Sequence, residues 1–402
     1  MVRHKVSSHS PRRTPAISSF CAALLLLLTL AACGPEKPPA QGEVPIGAVL
    51  PLSGENASFG TTARFAYQIA EEDAAQQGLP KIRLVYGDSK LDKDLALKEY
   101  RRLVDMEKVA GFVEITGSGV ALAVAPVAEK DQIPIVSGIN TSPELTDKGG
   151  KYFFRVISSD AYSGKVLSDW TAEAGLRRAA LVFNQQNGWA TGFKSAITSA
   201  FRAGGGELPD NAIVPVSDDT VDFSGAIARL KQSQPQVWFV GLMGRQAALF
   251  VKQASEKGVS GPFFGVDNLA QTEFVQGAGR GLVNTKLALP AEVQGPRGQD
   301  FARRYKALAG RDADAIAYKA YDAYMVIADA IKNLQAASKP VNGPNLKEQL
   351  EKTRMEGITG VIEFDEHHDL REATYDRLKY TQTGEKVLDA AAKAAAAGAS
   401  KS

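Results

Sequence analysis

From Val44 onward, apolar and polar positions alternate between two periods. Short, nearly unbroken apolar runs are "VPIGAVL" at 44–50, "IRLVYGD" at 82–88, "AGFVEI" at 110–115 and "IPIVSG" at 133–138. Between them lie longer stretches in which apolar residues recur every three or four positions. The short runs predict strands covered on both faces, and the longer stretches predict amphipathic helices. In "TTARFAYQIAEEDAAQ" (61–76), Phe65 and Ile69 mark the apolar face and Glu72 the polar one. In "DLALKEYRRLVDMEKV" (94–109), Tyr100, Leu103 and Val104 keep helical spacing, and "ALAVAPVAEK" (121–130) predicts a third helix with an early Pro126.

The alternation then restarts. Strands are predicted at 177–183, 211–216, 235–241 and 261–266, with helices at 190–205, 222–232 and 244–258 between them. Two successive α/β halves of similar length predict an α/β fold of two Rossmann-like lobes with parallel central sheets. The last third breaks the rhythm. "DAIAYKAYDAYMVIADAIKNL" (314–334) predicts one long helix, and 360–380 predicts a hairpin. The Ala-rich 389–402 predicts a frayed or disordered tail.

The N-terminus reads as an address. A basic stretch precedes "AISSFCAALLLLLTL", which is short for a membrane span and suits the core of a signal peptide. "LAAC" at 30–33 resembles a bacterial lipobox, which implies cleavage before Cys33 and lipidation of that cysteine; the alternative is an ordinary cleavage site that happens to hold a Cys. Residues 1–32 are then the signal peptide and 33–43, Pro-rich and polar, the tether. "SPRRTPA" holds an arginine pair, but its flanks fit a twin-arginine signal poorly.

Charge and cysteine content follow that division. The 402-residue chain carries 47 basic and 45 acidic residues, and four of the basic ones lie in the signal region. The mature protein has a net charge of −2 and no global attraction for nucleic acid. The full chain has two cysteines, Cys21, which is discarded with the signal peptide, and Cys33, so no disulfide is expected. The lobes must be held by core burial, which their size permits.

In open parallel sheets, ligands bind beyond the carboxyl ends of the strands. "TGSG" follows 110–115 and "INTSPEL" follows 133–138, both delivering hydroxyls where a helix begins. Ser118 and Thr141 are either helix caps or two hydroxyls that converge on a carboxylate at helix N-termini. Ser142 and Pro143 read as helix-start chemistry, with Pro143 at the first helical position. In the second half, "FNQQNGWATG" places Trp189 at a lobe edge and "FFGVDN" puts Asp267 at a strand end, as a cap or as a partner for an ammonium. Met243 reads as core.

Signals of catalysis are scarce. His4 and His9 precede the mature chain, and His367 and His368 sit side by side in the predicted hairpin turn, solvated. No Cys/His set has metal spacing, and "GAGRG" (277–281) lacks the strand and helix of a dinucleotide fingerprint. No enzyme, cofactor or metal site is expected.

Several stretches together resemble the type I periplasmic solute-binding proteins, in particular the branched-chain amino-acid (leucine/isoleucine/valine) binding family of ABC importers. They are "IGAVLPLSGENASFG" (46–60), "YGDSKLD" (86–92), "PVAEKDQIPIVSGINTSPELT" (126–146), "VDFSGAIARLKQSQPQVWFVG" (221–241), "AYDA" (320–323) and "GVIEFDEHHDL" (360–370). The resemblance implies two lobes joined by three crossovers, near 157–163, 287–294 and 355–361. Lobe I would comprise 44–160 and 291–357, and lobe II 161–290 and 358–388. It also implies ligand roles. Phe59 covers the ligand, Ser118 and Thr141 take an α-carboxylate, and a carbonyl at Ile139 or Asn140 receives the ammonium. Trp189 packs on the ligand from the second lobe, and Asp267 stands where the family has a glutamate for the ammonium.

The chain departs from the family pattern at Met243, where the family has a tyrosine, and at Gly117, one position of a disulfide missing here. The expectation is therefore a lipid-anchored, exported receptor, monomeric, in the periplasm or at the cell surface. It would capture an α-amino acid, branched-chain or otherwise apolar, by hinge closure and pass it to ABC permease and ATPase subunits. A sensory lipoprotein of the same fold, or a binder of amides, urea or aromatic acids, is the alternative.

Overall fold

The computed structural model describes residues 42–389 except 292 and 294. The signal peptide, Cys33 with most of its tether, and the tail from residue 390 lie outside the described residues.

The first lobe is built in chain order from β1 (Val44–Leu50), α1 (Ala57–Gln76), β2 (Ile82–Asp88), α2 (Lys93–Asp105) and β3 (Phe112–Ile115). It continues with α3 (Ser118–Asp131), β4 (Ile135–Ser137), the single turn α4 (Glu144–Lys148) and β5 (Phe153–Arg155). The sheet is parallel, in the order β2-β1-β3-β4-β5. Val44, Ile46, Ala48 and Leu50 of β1 face one core, while Val49 joins Phe112, Ile115 and Ile135 in the core on the other side. That two-sided burial is why β1 reads as a continuous apolar run.

The second lobe starts with α5 (Asp160–Glu173), β6 (Ala179–Asn184), α6 (Gly188–Ala203), β7 (Ile213–Val216) and α7 (Ser224–Lys231). It goes on through β8 (Val237–Gly241), α8 (Gly244–Glu256), β9 (Phe263–Gly265), α9 (Thr272–Gly277) and β10 (Thr285–Pro290). The chain then returns through α10 (Pro296–Ala309), α11 (Ala315–Ala336), α12 (Gly343–Leu350), β11 (Arg354–Gly357) and β12 (Gly360–Glu363), and ends on β13 (Tyr375–Tyr380) and β14 (Lys386–Leu388). The second sheet has the order β14-β13-β10-β9-β8-β6-β7. The five strands β10-β9-β8-β6-β7 form the expected parallel sheet, and β13 and β14 extend it at one edge through antiparallel pairings.

Four expectations for the last third change. The segment 360–380 folds back only around its turn, where Phe364 bridges Leu370 antiparallel; it is not a two-stranded hairpin as a whole, since β12 pairs with β11, and β13 pairs with β10 and β14. Residues from 358 do not all belong with the second lobe, because Ile358, Ile362 and Phe364 pack in the first lobe's core beside α11. Buried Asp322 on α11 fixes them there by accepting the backbone N–H groups of Ile358 (2.8 Å) and Thr359 (3.1 Å). His367 is exposed, but His368 is not solvated: its ring stacks on Phe154 at 4.1 Å and its Nε2 meets Glu351 at 3.2 Å. Asp389, at the start of the expected tail, is buried and paired with Lys286 at 2.6 Å. Among the described residues, no helix is long and apolar enough to cross a membrane.

Candidate functional site

Both sheets reverse strand order about a central strand, between β1 and β3 in the first lobe and between β6 and β8 in the second. The loops after these strands wall one cleft of about 930 Å³. All eight residues singled out for ligand contact line it: Phe59, Ser118, Ile139, Asn140, Thr141, Trp189, Met243 and Asp267.

The floor is the loop after β4, held from two sides. Glu114, wholly buried on β3, accepts from Gly138 N–H at 2.8 Å, from Ser137 Oγ at 3.0 Å and from Asn140 Nδ2 at 2.9 Å. It sits at positive φ (96°), in the irregular stretch where β3 slips register against β1. Such a bulge re-aims a side chain next to a site. Burial pushes the Glu114 carboxyl up to about 7, with the donors from Gly138 and Ser137 pulling the other way. From the far side Arg155, with no exposed surface, donates through Nη1 to the carbonyls of Ser142 (2.8 Å) and Asn140 (3.4 Å). Its other face is ion-paired with Asp369. An acceptor and a donor thus fix the loop, and the Asn140 Nδ2 group is spent on that task.

Thr141 caps no helix. Its hydroxyl donates to Asp160 Oδ2 at 2.8 Å, and Asp160 N–H donates back to its carbonyl at 2.8 Å. Its own N–H has no partner among the described residues. Ser118 is the first residue of α3, after Gly117 at φ 101°. Its Oγ accepts Ser142 N–H at 3.3 Å, which leaves the hydroxyl proton free for the cleft. The cap roles expected for Ser142 and Pro143 are not found. Pro143 is itself the residue before α4, without a side-chain cap, and Ser142 Oγ is buried and unpartnered.

In the second lobe, Asn187 caps α6 by accepting Ala190 N–H at 3.1 Å, which sets Trp189 in the first helical turn, stacked on Phe193 at 5.4 Å. Met243 precedes α8 and lines the cleft; it is only partly buried. Asp267 opens a short 3-10 turn after β9. Burial raises its carboxyl to about 6, against backbone donors from its own residue and Asn268. Asp160, 2% exposed, is raised to about 7 by burial first and then by repulsion from Asp267. The cleft therefore has an end rich in N–H and hydroxyl donors on the first lobe and an acidic end where the lobes meet. Among the described residues, no cluster of His, Cys, Asp and Glu is fit to hold a metal.

The sequence reading missed Glu114, Arg155, Asp160, Thr116 and Gln271. Thr116 is the first residue of the quoted "TGSG", directly after the strand, and was passed over for Ser118. Asp160 lies in a stretch without periodicity, so nothing in the pattern marks it.

The profile of the periplasmic binding protein family matches residues 43–375. An amino acid binding protein of Pseudomonas aeruginosa is 25% identical over 357 residues, covering 85% of this chain and 93% of that protein. A leucine binding protein of Thermotoga maritima superposes with a TM-score of 0.78 at 24% identity, covering 86% of this chain and 98% of that one. A solute binding protein of an ABC transporter from R. palustris, solved in complex with benzoate, gives a TM-score of 0.74 at 21% identity, covering 86% and 95%. The chain belongs to the periplasmic binding protein family, in the type I class that includes the leucine/isoleucine/valine-binding proteins. It is a substrate-binding protein of the ABC-transporter kind, from a family of solute binders that works in the periplasm or outside the cell.

Proposed function

We propose that the chain is a lipid-anchored receptor, attached through Cys33, that clamps an α-amino acid between its lobes for delivery to an ABC permease and its ATPase. One observation carries this reading: a single cleft holds opposite recognition chemistry at its two ends. The free N–H groups at the start of α3, the Ser118 hydroxyl and the Thr141 N–H suit an α-carboxylate. Asp267, with Asp160 behind it, suits an ammonium, because a cation between two carboxylates relieves their repulsion. Phe59, Trp189 and Met243 close over the remainder.

A carboxylate-only ligand is the second reading, favoured by the benzoate-bound neighbour. The acidic end counts against it, since benzoate brings no cation to offset two buried carboxyls.

Calorimetry with amino acids, amides, urea and benzoate decides. Amino acids should bind and benzoate should not. Asp267→Asn should weaken amino-acid binding by roughly a hundredfold or more, the cost of leaving one partner of a buried pair alone. Unchanged affinity in that variant would remove Asp267 from the ammonium role.

A further inference from the structure

Five consecutive backbone N–H groups, from Gly138 to Ser142, follow β4, and four are bonded within the first lobe. Gly138 N–H donates to Glu114 at 2.8 Å, those of Ile139 and Asn140 to Ser137 Oγ at 3.3 and 3.1 Å, and that of Ser142 to Ser118 Oγ at 3.3 Å. Thr141 N–H is left without a partner among the described residues. Its direction is set by the other edge of its peptide unit. In a trans peptide the C=O and N–H point opposite ways in one plane. The Asn140 carbonyl accepts from Arg155 Nη1 at 3.4 Å, so Thr141 N–H points away from Arg155. Thr141 lines the cleft and Arg155 does not, so this N–H is turned toward the cleft.

Arg155 is fixed on every side. It has no exposed surface, and each of the five N–H donors of its guanidinium has an acceptor. Nη1 takes the carbonyls of Ser142, at 2.8 Å, and Asn140. Nη2 takes Asp369 Oδ2 at 2.7 Å and Thr146 Oγ1 at 2.5 Å, and Nε takes Asp369 Oδ1. Thr146 Oγ1 donates in turn to Asp369 Oδ2 at 2.6 Å. Asp369 and Thr146 therefore hold the guanidinium plane, and the plane holds the two loop carbonyls. A lysine, with its donors on one nitrogen, cannot span the same set. The charge of Arg155 is balanced by Asp369 behind the loop, so it reaches a ligand only through the peptide it orients.

Resting on the amino-acid reading above, we infer that Arg155 is a positioning residue for carboxylate recognition: held in plane by Asp369 and Thr146, it turns the Asn140–Thr141 peptide so that Thr141 N–H stands ready in the cleft as a carboxylate donor near the Ser118 hydroxyl. A donor fixed before the ligand arrives costs no ordering on binding. Losing the guanidinium frees that peptide to rotate. The damage falls on the ligand's carboxylate and spares its ammonium, which is met by Asp267.

The test is calorimetry with leucine and phenylalanine and with their α-amides, leucinamide and phenylalaninamide, on the mature chain, Arg155→Lys and Asp369→Asn. The unaltered chain should bind an acid at least about tenfold tighter than its amide, the equivalent of one hydrogen bond to a charged group. Arg155→Lys should shrink that ratio severalfold by weakening the acid, with the amide little changed, and Asp369→Asn should move it the same way. A merely structural role would weaken acid and amide alike and keep the ratio, and that result in both variants overturns the inference while the amino-acid reading stands. Equal binding of acid and amide by the unaltered chain, or binding of none of the four, overturns the carboxylate reading and the inference with it. Should both variants fail to fold, the unaltered chain labelled with ¹⁵N-threonine decides. The Thr141 amide signal should shift when the acid saturates the site, and a signal that stays in place overturns the inference.

Discussion

At the level of single residues, the acidic end of the cleft sets a pH response. Burial raises Asp267 to about 6, and burial with repulsion from Asp267 raises Asp160 to about 7. Both folded values lie above the ordinary carboxylate range. The stability these groups give the ligand-free protein is full below about pH 4 and is lost as pH rises through 6 and 7. Binding of an ammonium runs the opposite way, since it needs the ionised forms. Affinity for an amino acid should therefore rise about tenfold or more from pH 5 to pH 7.5, with protons released on binding. Calorimetry at the two pH values, in buffers of different ionisation enthalpy, reads both, and Asp267→Asn should flatten the rise. A flat profile in the unaltered chain would mean that neither carboxyl meets the ligand's cation. The strand-end rule found Ser118, Thr141, Trp189 and Asp267, because chain direction fixes where those loops emerge; Phe59, Ile139 and Asn140 came from the family resemblance, and Met243 read as core until the resemblance set it beside the ligand. The rule did not reveal Glu114 or Arg155. Their task depends on a bulge and on a partner, Asp369, more than two hundred positions away.

At the level of elements, the helices that carry the site meet across the cleft. A Cβ on Gly188, the first residue of α6, would stand 2.6 Å from Gly119 Cα on α3, and one on Gly192 would stand 2.3 Å from Ser142 Oγ. Real Cβ contacts are not that short, so two helices from different lobes touch here only because both positions are bare. Gly188→Ala should hold the lobes apart and weaken binding about tenfold or more, with little change in the ligand-free melting temperature, since the added methyl meets nothing once the cleft opens. A variant that binds normally would mean the contact is not needed for closure. The periods of the sequence expose α1, α2, α11 and the long strands because each repeats one pattern for several turns or residues. The three-residue strand β5 ("FFR") is too short to show a period. β5 and the helix after it, α5, went unassigned, and α5 lacks a clean apolar stripe.

At the level of the whole molecule, the chain crosses between lobes three times: from β5 to α5, from β10 to α10, and between Leu370 and Tyr375. The resemblance implied the third crossing earlier, near 355–361; the alternating "VIEF" suits either core, and the bonds from Asp322 hold it in the first. Hydrogen bonds link the strands of this hinge: Thr141 to Asp160, and Ser158 Oγ to Tyr375 OH at 2.5 Å. Three parallel connections, tied at one end, confine motion to opening and closing about a single axis. The touching glycines mark the present arrangement as closed. A closed cleft with unpartnered donors and two carboxyls near each other is costly without ligand, so the empty protein in solution should favour an open form. Small-angle scattering should then show the radius of gyration falling when a bound amino acid saturates the site, toward the roughly 20 Å expected for a compact chain of this length. Gly188→Ala should keep the larger radius with ligand present. If the empty protein already scatters as the compact form, the cleft is preformed, and the carboxyls and donors must then be satisfied by water instead of by opening.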